Sequence, residues 1–335
     1  MHMNGLLTGF RSPRGRPPKE RVVATRLLAA LLLSLLLLAG SVTFAACSSS
    51  ERAPAGSEYP LTVTDSLGRS VQLDQKPVRI VTTHPTATET LYRAGGVAVG
   101  RDSASKYPAE VSALPTVGGS YSVSGELVAA LEPDLIVIEE LTQGHLVDQL
   151  GQLGAPVLAV CAMSLEEIYE SLTLVGVVID TGETAAQAIA EIQSRVETAQ
   201  AALPDSKSIL IFVADAEQKI YAARADSYPG TVADLLGLDN LAAYLEGPAP
   251  YSGFALFSAE LAAISDPDVV FTITPAPLPA PRLSTVMSMM GGFKDMPAVK
   301  EGRVAELDPV LFLQAQGPRI ADAMEDLLDI MNSHG

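Results

Sequence analysis

A segment of thirteen residues occurs twice in this chain, and it narrows the fold more than any other feature. Residues 124–136 read SGELVAALEPDLI and residues 258–270 read SAELAAISDPDVV. Aligned without a gap they share Ser, Glu, Leu, Ala, Pro and Asp, with Glu/Asp, Leu/Val and Ile/Val exchanges elsewhere. Each copy describes one αβ unit: a serine able to cap a short helix, a Pro-Asp turn, then branched apolar residues suited to a buried strand. Two copies 134 residues apart imply two lobes of one plan, each presenting a glutamate, Glu126 or Glu260, from the same structural position. A body that meets both lobes at once can read that pair. This favours a two-lobed binding protein over a single-site enzyme.

The 335 residues suffice for two domains of ordinary size. Residues 1–46 read as a targeting segment, with a basic stretch (Arg11, Arg14, Arg16, Lys19, Arg21, Arg26) ahead of Leu27–Ala39, where only Ser34 interrupts Leu and Ala. That run is shorter than the roughly 20 apolar residues a membrane-spanning helix needs; extended to Ala46, it leaves an uncleaved anchor open. Cys47, with small residues before it and Ser48-Ser49-Ser50 after it, resembles the lipidation site of a bacterial lipoprotein, although Phe44 stands where Leu is usual. Simple secretion is the alternative. Residues 47–58 then form a polar tether. Without residues 1–46 the chain keeps 16 basic and 38 acidic residues, a net charge near −22. Such a surface repels nucleic acid. Cys161, in the apolar run PVLAVCAM, is expected to be a small core residue.

From Tyr59 onward short apolar runs alternate with helical spacing. LTVTDSLGRSVQL reads as an edge hairpin, and VRIVTTHP, PDLIVIEE and APVLAVCAM as buried strands separated by helices. The fold class is α/β, two lobes each with a mostly parallel sheet flanked by helices and a ligand cleft between them. Residues 181–203 are Ala-rich and free of Gly or Pro after Gly182. They predict one long helix bridging an N-terminal lobe (59–180) and a C-terminal lobe (204–333). STVMSMMGGF and Pro318–Met331 are expected to be helices of the second lobe, with Met287, Met289 and Met290 packing inward. PAPLPAP at 275–281 predicts a stiff extended lip.

Ligands of open α/β sheets sit beyond the carboxyl ends of the strands. That rule places His84, Tyr121, Glu139–Thr142 and Met163 on one lip, with Asp215, Arg224, Tyr251, Thr274 and Phe312 on the other. Candidate ligand contacts are His84, Tyr121, Glu140, His145, Arg224, Tyr251 and Phe312. Each has a plainer alternative. Thr86 and Glu89 have capping-box spacing, which would open a helix start beside His84 as a modest anion site. Arg224 can pair with Asp226 instead of a ligand, and Tyr251 and Phe312 suit a lip or a core equally. Glu126 and Glu260 can simply favour helix starts. His84 and His145 are too few histidines for a metal cage, so no metal site or resident cofactor is expected. G-x-S-x-G, P-loop, C-x-x-C and zinc-protease patterns are absent, and no segment pairs two carboxylates as catalysts.

The motifs VTDSLGRSVQL, RIVTTHPTATETLYRAGG, YPAEVSALPTVGG, GELVAALEPDLIVI and QGPRIADAMEDLL, in this order, resemble the substrate-binding proteins of ABC importers for ferric siderophores, haem or cobalamin. The resemblance runs through nearly the whole chain after the targeting segment. It implies two α/β lobes bridged by one helix, and a lipid-anchored extracytoplasmic monomer. It also implies a permease dimer with ATPase subunits whose arginines meet Glu126 and Glu260. Among ligands it ranks ferric siderophore before cobalamin and haem. In haem-binding members a tyrosine of the Tyr121 loop can ligate iron; Gly119 stands at the aligned place, which counts against haem ligation. An extracellular enzyme and a non-transport lipoprotein are the rival classes.

Overall fold

The computed structural model describes residues 57–202, 207–247, 249 and 252–333. The targeting segment, Cys47 with most of its tether, and Tyr251 lie outside the described residues. The chain enters through a hairpin, β1 (Leu61–Thr64) and β2 (Ser70–Leu73), with Leu61 opposite Leu73. Asp65 at its turn accepts from Arg69 N (2.9 Å), from the Arg69 guanidinium and from Ala159 N (3.2 Å), which pins the hairpin to the lobe.

The N-terminal lobe then follows a strand–helix rhythm. Its elements are β3 (Ile80–Thr82), α1 (Pro85–Arg93), β4 (Ala98–Gly100), a small hairpin β5 (Gly118–Gly119) and β6 (Ser122–Val123), α2 (Gly125–Ala129), β7 (Leu135–Glu139), α3 (Glu140–Gln143), α4 (Val147–Gly151), β8 (Val157–Val160) and α5 (Leu165–Val178). Strands β4-β3-β7-β8 form a parallel sheet in that order. Every residue of β7 and β8 is buried, as expected where helices cover both faces of a parallel sheet.

One helix, α6 (Gly182–Ala202), leads to the second lobe. Its buried residues Ala185, Ala188, Ile192, Val196 and Ala199 recur every three or four positions, one apolar stripe laid against the shared core. Burying Ile192 and Val196 contributes roughly 1.5–3 kcal/mol each. Salt bridges one turn apart at its middle tie it to both lobes: Arg93–Glu191 (2.7 Å) to the first, and Arg195 to Asp322 and Glu325 (both 2.6 Å) in the second. Their side chains are about a third exposed or more, so each is worth about 0–1 kcal/mol. Gly176 lets α5 and α6 meet closely, since a Cβ there would lie 2.6 Å from Ala185 Cβ.

The C-terminal lobe comprises β9 (Ser208–Ala214), β10 (Ile220–Ala223), α7 (Tyr228–Leu235), β11 (Asp239–Asn240), β12 (Phe254–Leu256), α8 (Ala259–Ile264), β13 (Val269–Ile273), α9 (Leu283–Val286), α10 (Pro297–Lys300), β14 (Val304–Leu307) and α11 (Ile320–Ser333). The sheet order is β12-β10-β9-β13-β14, with β11 also on β9, and β10 alone runs against the rest. Phe212, Phe257 and Phe293 pack under one face at centroid distances of 4.8–6.3 Å. STVMSMMGGF is not one helix: α9 stops after four residues and Met287–Met289 form a tight 3-10 turn. Gly292 then reverses the chain at φ +85°, where a Cβ would lie 2.5 Å from Ala259 Cβ. Met287 is buried as expected, but Met289 is 73% exposed.

Candidate functional site

At the carboxyl end of β3, His84 caps α1: its Nδ1 accepts from Thr86 N at 3.2 Å. The ring is buried, and burial pushes its pKa down to about 4 against the upward pull of Asp102. His84 is therefore a neutral cap and not an open ligand contact. Thr86 does not cap the helix, and Pro85 to Leu91 are all buried, so the helix start is closed to an anion.

Two buried residues organise this lip. Asp102 accepts from Ala104 N (2.7 Å), Ser105 N (3.2 Å), the Ser105 hydroxyl and the Ser120 hydroxyl (2.8 Å). Gln143 donates to the Thr83 carbonyl (2.8 Å) and the Ser120 carbonyl (2.7 Å), and its Oε1 accepts from Thr83 Oγ1 (2.7 Å). Ser120 is thus held at its hydroxyl and at its carbonyl, and the next residue, Tyr121, stands 86% exposed at the hairpin tip. The hairpin needs glycine at 118, where φ is +108° and a Cβ would lie 2.4 Å from Ser122 O. Glu139 is buried as the cap of α3, accepting from Leu141 N and Thr142 N at 2.8 Å. Glu140 beside it is half-buried, and His145 is exposed on the turn after α3. The structure therefore gathers the Tyr121 tip and the start of α3 around Gln143.

On the second lobe a cavity of about 1160 Å³ opens beyond the carboxyl ends of β9 and β13. Asp215 and Thr274 line it, with Pro275, Met289, Met290 and Phe293 supplying apolar wall. Arg224 and Phe312 lie elsewhere. Because β10 is antiparallel, with Ile220 opposite Ala214, its carboxyl end points away from those of β9 and β13. There Arg224 forms a fork with Asp226 (3.0 and 2.5 Å). Phe312 is fully buried in the core, where a ligand cannot touch it in this conformation.

A pair that sequence patterns do not suggest ties the lobes together. Glu89 of α1 accepts two 2.7 Å bonds from Arg319, at the start of α11. Glu89 is 3% and Arg319 16% exposed, and the guanidinium carbon lies 4.6 Å above the Tyr107 ring. The two partners feel the pair differently. Burial works against the charge of Arg319, but Glu89 outweighs it and raises the arginine's pKa. Burial dominates at the deeper Glu89 and leaves its pKa raised despite Arg319. The physical weight belongs with the glutamate, the less hydrated partner.

Glu126 and Glu260 sit exposed in the first turns of α2 and α8. Ser124 Oγ accepts from Leu127 N and Ser258 Oγ from Leu261 N, both at 3.3 Å, so the repeat carries over to geometry. A hydrogen bond from Ser258 holds the Glu260 carboxyl below the usual range. Among the described residues no three His, Cys, Asp or Glu side chains converge on a metal position.

Residues 80–311, more than half of the chain, match the family described as periplasmic binding protein. The chain belongs to that family. Relatives of this periplasmic binding protein include the ABC transporter substrate-binding lipoprotein YvrC of Bacillus subtilis, 27% identical over 282 residues and spanning 81% of this chain and 85% of the relative. A cobalamin-binding protein of Halobacterium salinarum is 26% identical over 275 residues, 79% of this chain and 72% of that one. Among solved structures, the petrobactin-binding protein YclQ of Bacillus subtilis superposes with a TM-score of 0.70 at 20% identity, covering 83% of this chain and 99% of its own. The haem-binding protein RhuT of Roseiflexus sp. RS-1 gives 0.67 at 22%, covering 76% and 98%. These structural likenesses are of fold.

Proposed function

We propose that this periplasmic binding protein is the substrate-binding subunit of an ABC importer, held to the membrane by lipid on Cys47. It captures a metal-organic ligand between its lobes and delivers it without chemistry; a ferric siderophore ranks first, with cobalamin and haem as alternatives. The observation that carries this reading is the matched pair Glu126 and Glu260, exposed and identically capped on equivalent helices of the two lobes. A carboxylate presented in a first turn suits a bidentate contact with a permease arginine. Names of relatives, which include a siderophore-binding lipoprotein and cobalamin-binding proteins, support the ligand class. The test is the double variant Glu126→Lys/Glu260→Lys in a cell that depends on this importer. Uptake is expected to vanish while ligand affinity of the purified protein stays unchanged; normal uptake would refute the docking role.

A further inference from the structure

The open cavity of about 1160 Å³ beyond β9 and β13 exceeds the roughly 300–1,000 Å³ of common small-molecule pockets, so it has room for a bulky ligand. Among the described residues that line it, the charged side chains are Asp215 and Glu217, and none is a lysine or arginine. Asp215 accepts from Lys219 N and from the Tyr221 hydroxyl, both at 2.9 Å. Burial works to raise its pKa, but these hydrogen bonds, helped by the nearby charge of Lys219, prevail and hold it below the usual range.

Arg101, Arg224 and Arg319 are already committed, and Arg282 is so in part. Arg282, at the cavity rim, donates from Nη1 alone to the carbonyls of Thr274 (3.4 Å) and Ala276 (3.0 Å). Arg224 is bound to Asp226 and Arg319 to Glu89. Arg101 is buried, donating to the carbonyls of Val111, Asp102 and Ser112. Strong recognition of a carboxylate or catecholate ligand uses a free guanidinium fork. Drawing the Arg319 fork onto a ligand would strand Glu89, which is buried.

Resting on the importer reading, we infer that this cavity takes a bulky metal-organic ligand carrying no net negative charge. Its apolar face lies on Pro275, Met289 and Met290, and any positive charge is turned towards Asp215 and Glu217. Neutral or singly positive ferric hydroxamates and a neutral corrinoid meet that description. Strongly negative ferric catecholates and carboxylates do not, nor does haem with its two propionates.

Calorimetric titration of the full-length protein in detergent with ferrioxamine, ferrichrome, cyanocobalamin, ferric enterobactin and haemin tests this. Wild type is expected to bind at least one of the first three and to reject the last two. Glu217 is exposed, so Glu217→Gln and Glu217→Arg leave the fold intact. Removing one charge at contact distance in a wet site weakens a positive chelate by about fivefold. Glu217→Arg should weaken it further, and neither variant should move a neutral ligand by as much. Preferred binding of ferric enterobactin or haemin by wild type would overturn the charge rule while leaving the importer reading standing. An affinity for ferrioxamine indifferent to Glu217→Arg would also overturn it. Binding of none of the five would remove the ligand class of the importer reading, and this inference with it.

Discussion

Replacing Arg319 with methionine keeps an apolar stem over Tyr107 but strips Glu89 of its partner. Glu89 is 3% exposed and receives both of its 2.7 Å bonds from that guanidinium. Breaking a buried pair from one side costs about 3–5 kcal/mol, because a charge is left without solvent or partner. Protonation sets a ceiling on that cost. Taking a glutamate from its ordinary pKa of about 4.3 to neutral at pH 7 requires about 3.7 kcal/mol, and at pH 5 about 1 kcal/mol. The expected loss is therefore about 3–4 kcal/mol at pH 7 and about 1–2 kcal/mol at pH 5, the remainder reflecting hydrogen bonds that a neutral carboxyl also loses. The sign follows from linkage. Glu89 already has a raised pKa in the folded state, and losing Arg319 raises it further. The native state of the variant then holds a proton that the unfolded chain releases, so its stability falls as pH rises above about 4.3. For a chain of this size the deficit is a Tm lower by about 10 °C at pH 7 and about 4 °C at pH 5. Differential scanning calorimetry suits the measurement, since the chain has no Trp. Adding Glu89→Gln should restore part of the loss at pH 7. A deficit below about 1 kcal/mol at pH 7, or one that is equal at the two pH values, would refute the assignment of a buried charge pair between the lobes.

His84 and Cys161 give two independent checks. The His84 pKa of about 4, against an ordinary 6.5, makes the unfolded chain bind a proton first as pH falls. Its contribution is fully present above pH 6.5 and is lost between there and about pH 4, up to about 3 kcal/mol. His84→Asn, which keeps a capping side chain, should show a correspondingly flatter acid limb in a pH series of unfolding midpoints; an unchanged limb would refute a buried neutral imidazole. Burial, then the nearby Glu167 and Glu140, push the Cys161 thiol up to about 12. In a Cys47→Ser background iodoacetamide at pH 8 should leave the native protein unlabelled and react once denaturant is added. Rapid labelling of the folded protein would contradict the buried position.

Much of the architecture is written in local pattern. Unbroken apolar runs at β7 and β8 announce strands buried on both faces. The Ala-rich stretch after Gly182 announces a helix because nothing in it competes with one. The twice-used Ser-x-Glu-Leu segment gives two capped helices whose serines make the same 3.3 Å bond. Those features depend on neighbours within a few residues, so the sequence contains the whole of their cause. The site was less legible. Arg224 was placed on the cleft by the strand-end rule, but β10 is reversed and carries it to the opposite end of the sheet. Thr86 and Glu89 have capping-box spacing, yet His84 makes the cap and Glu89 turns to an arginine 230 residues away. Met289 was expected inside and lies outside, because Gly292 must pass Ala259 closely and the helix ends before it.

What the sequence determined by itself is whatever a run of residues decides among its own backbone and side chains: elements, their caps and the duplicated plan of the lobes. Tertiary structure alone decided the reversal of β10 within its sheet, the clasp between α1 and α11, and how far each arginine is taken up by partners. Each of those depends on which distant groups share a dehydrated space, and in water-poor surroundings a charge is committed to whatever partner the fold brings within reach.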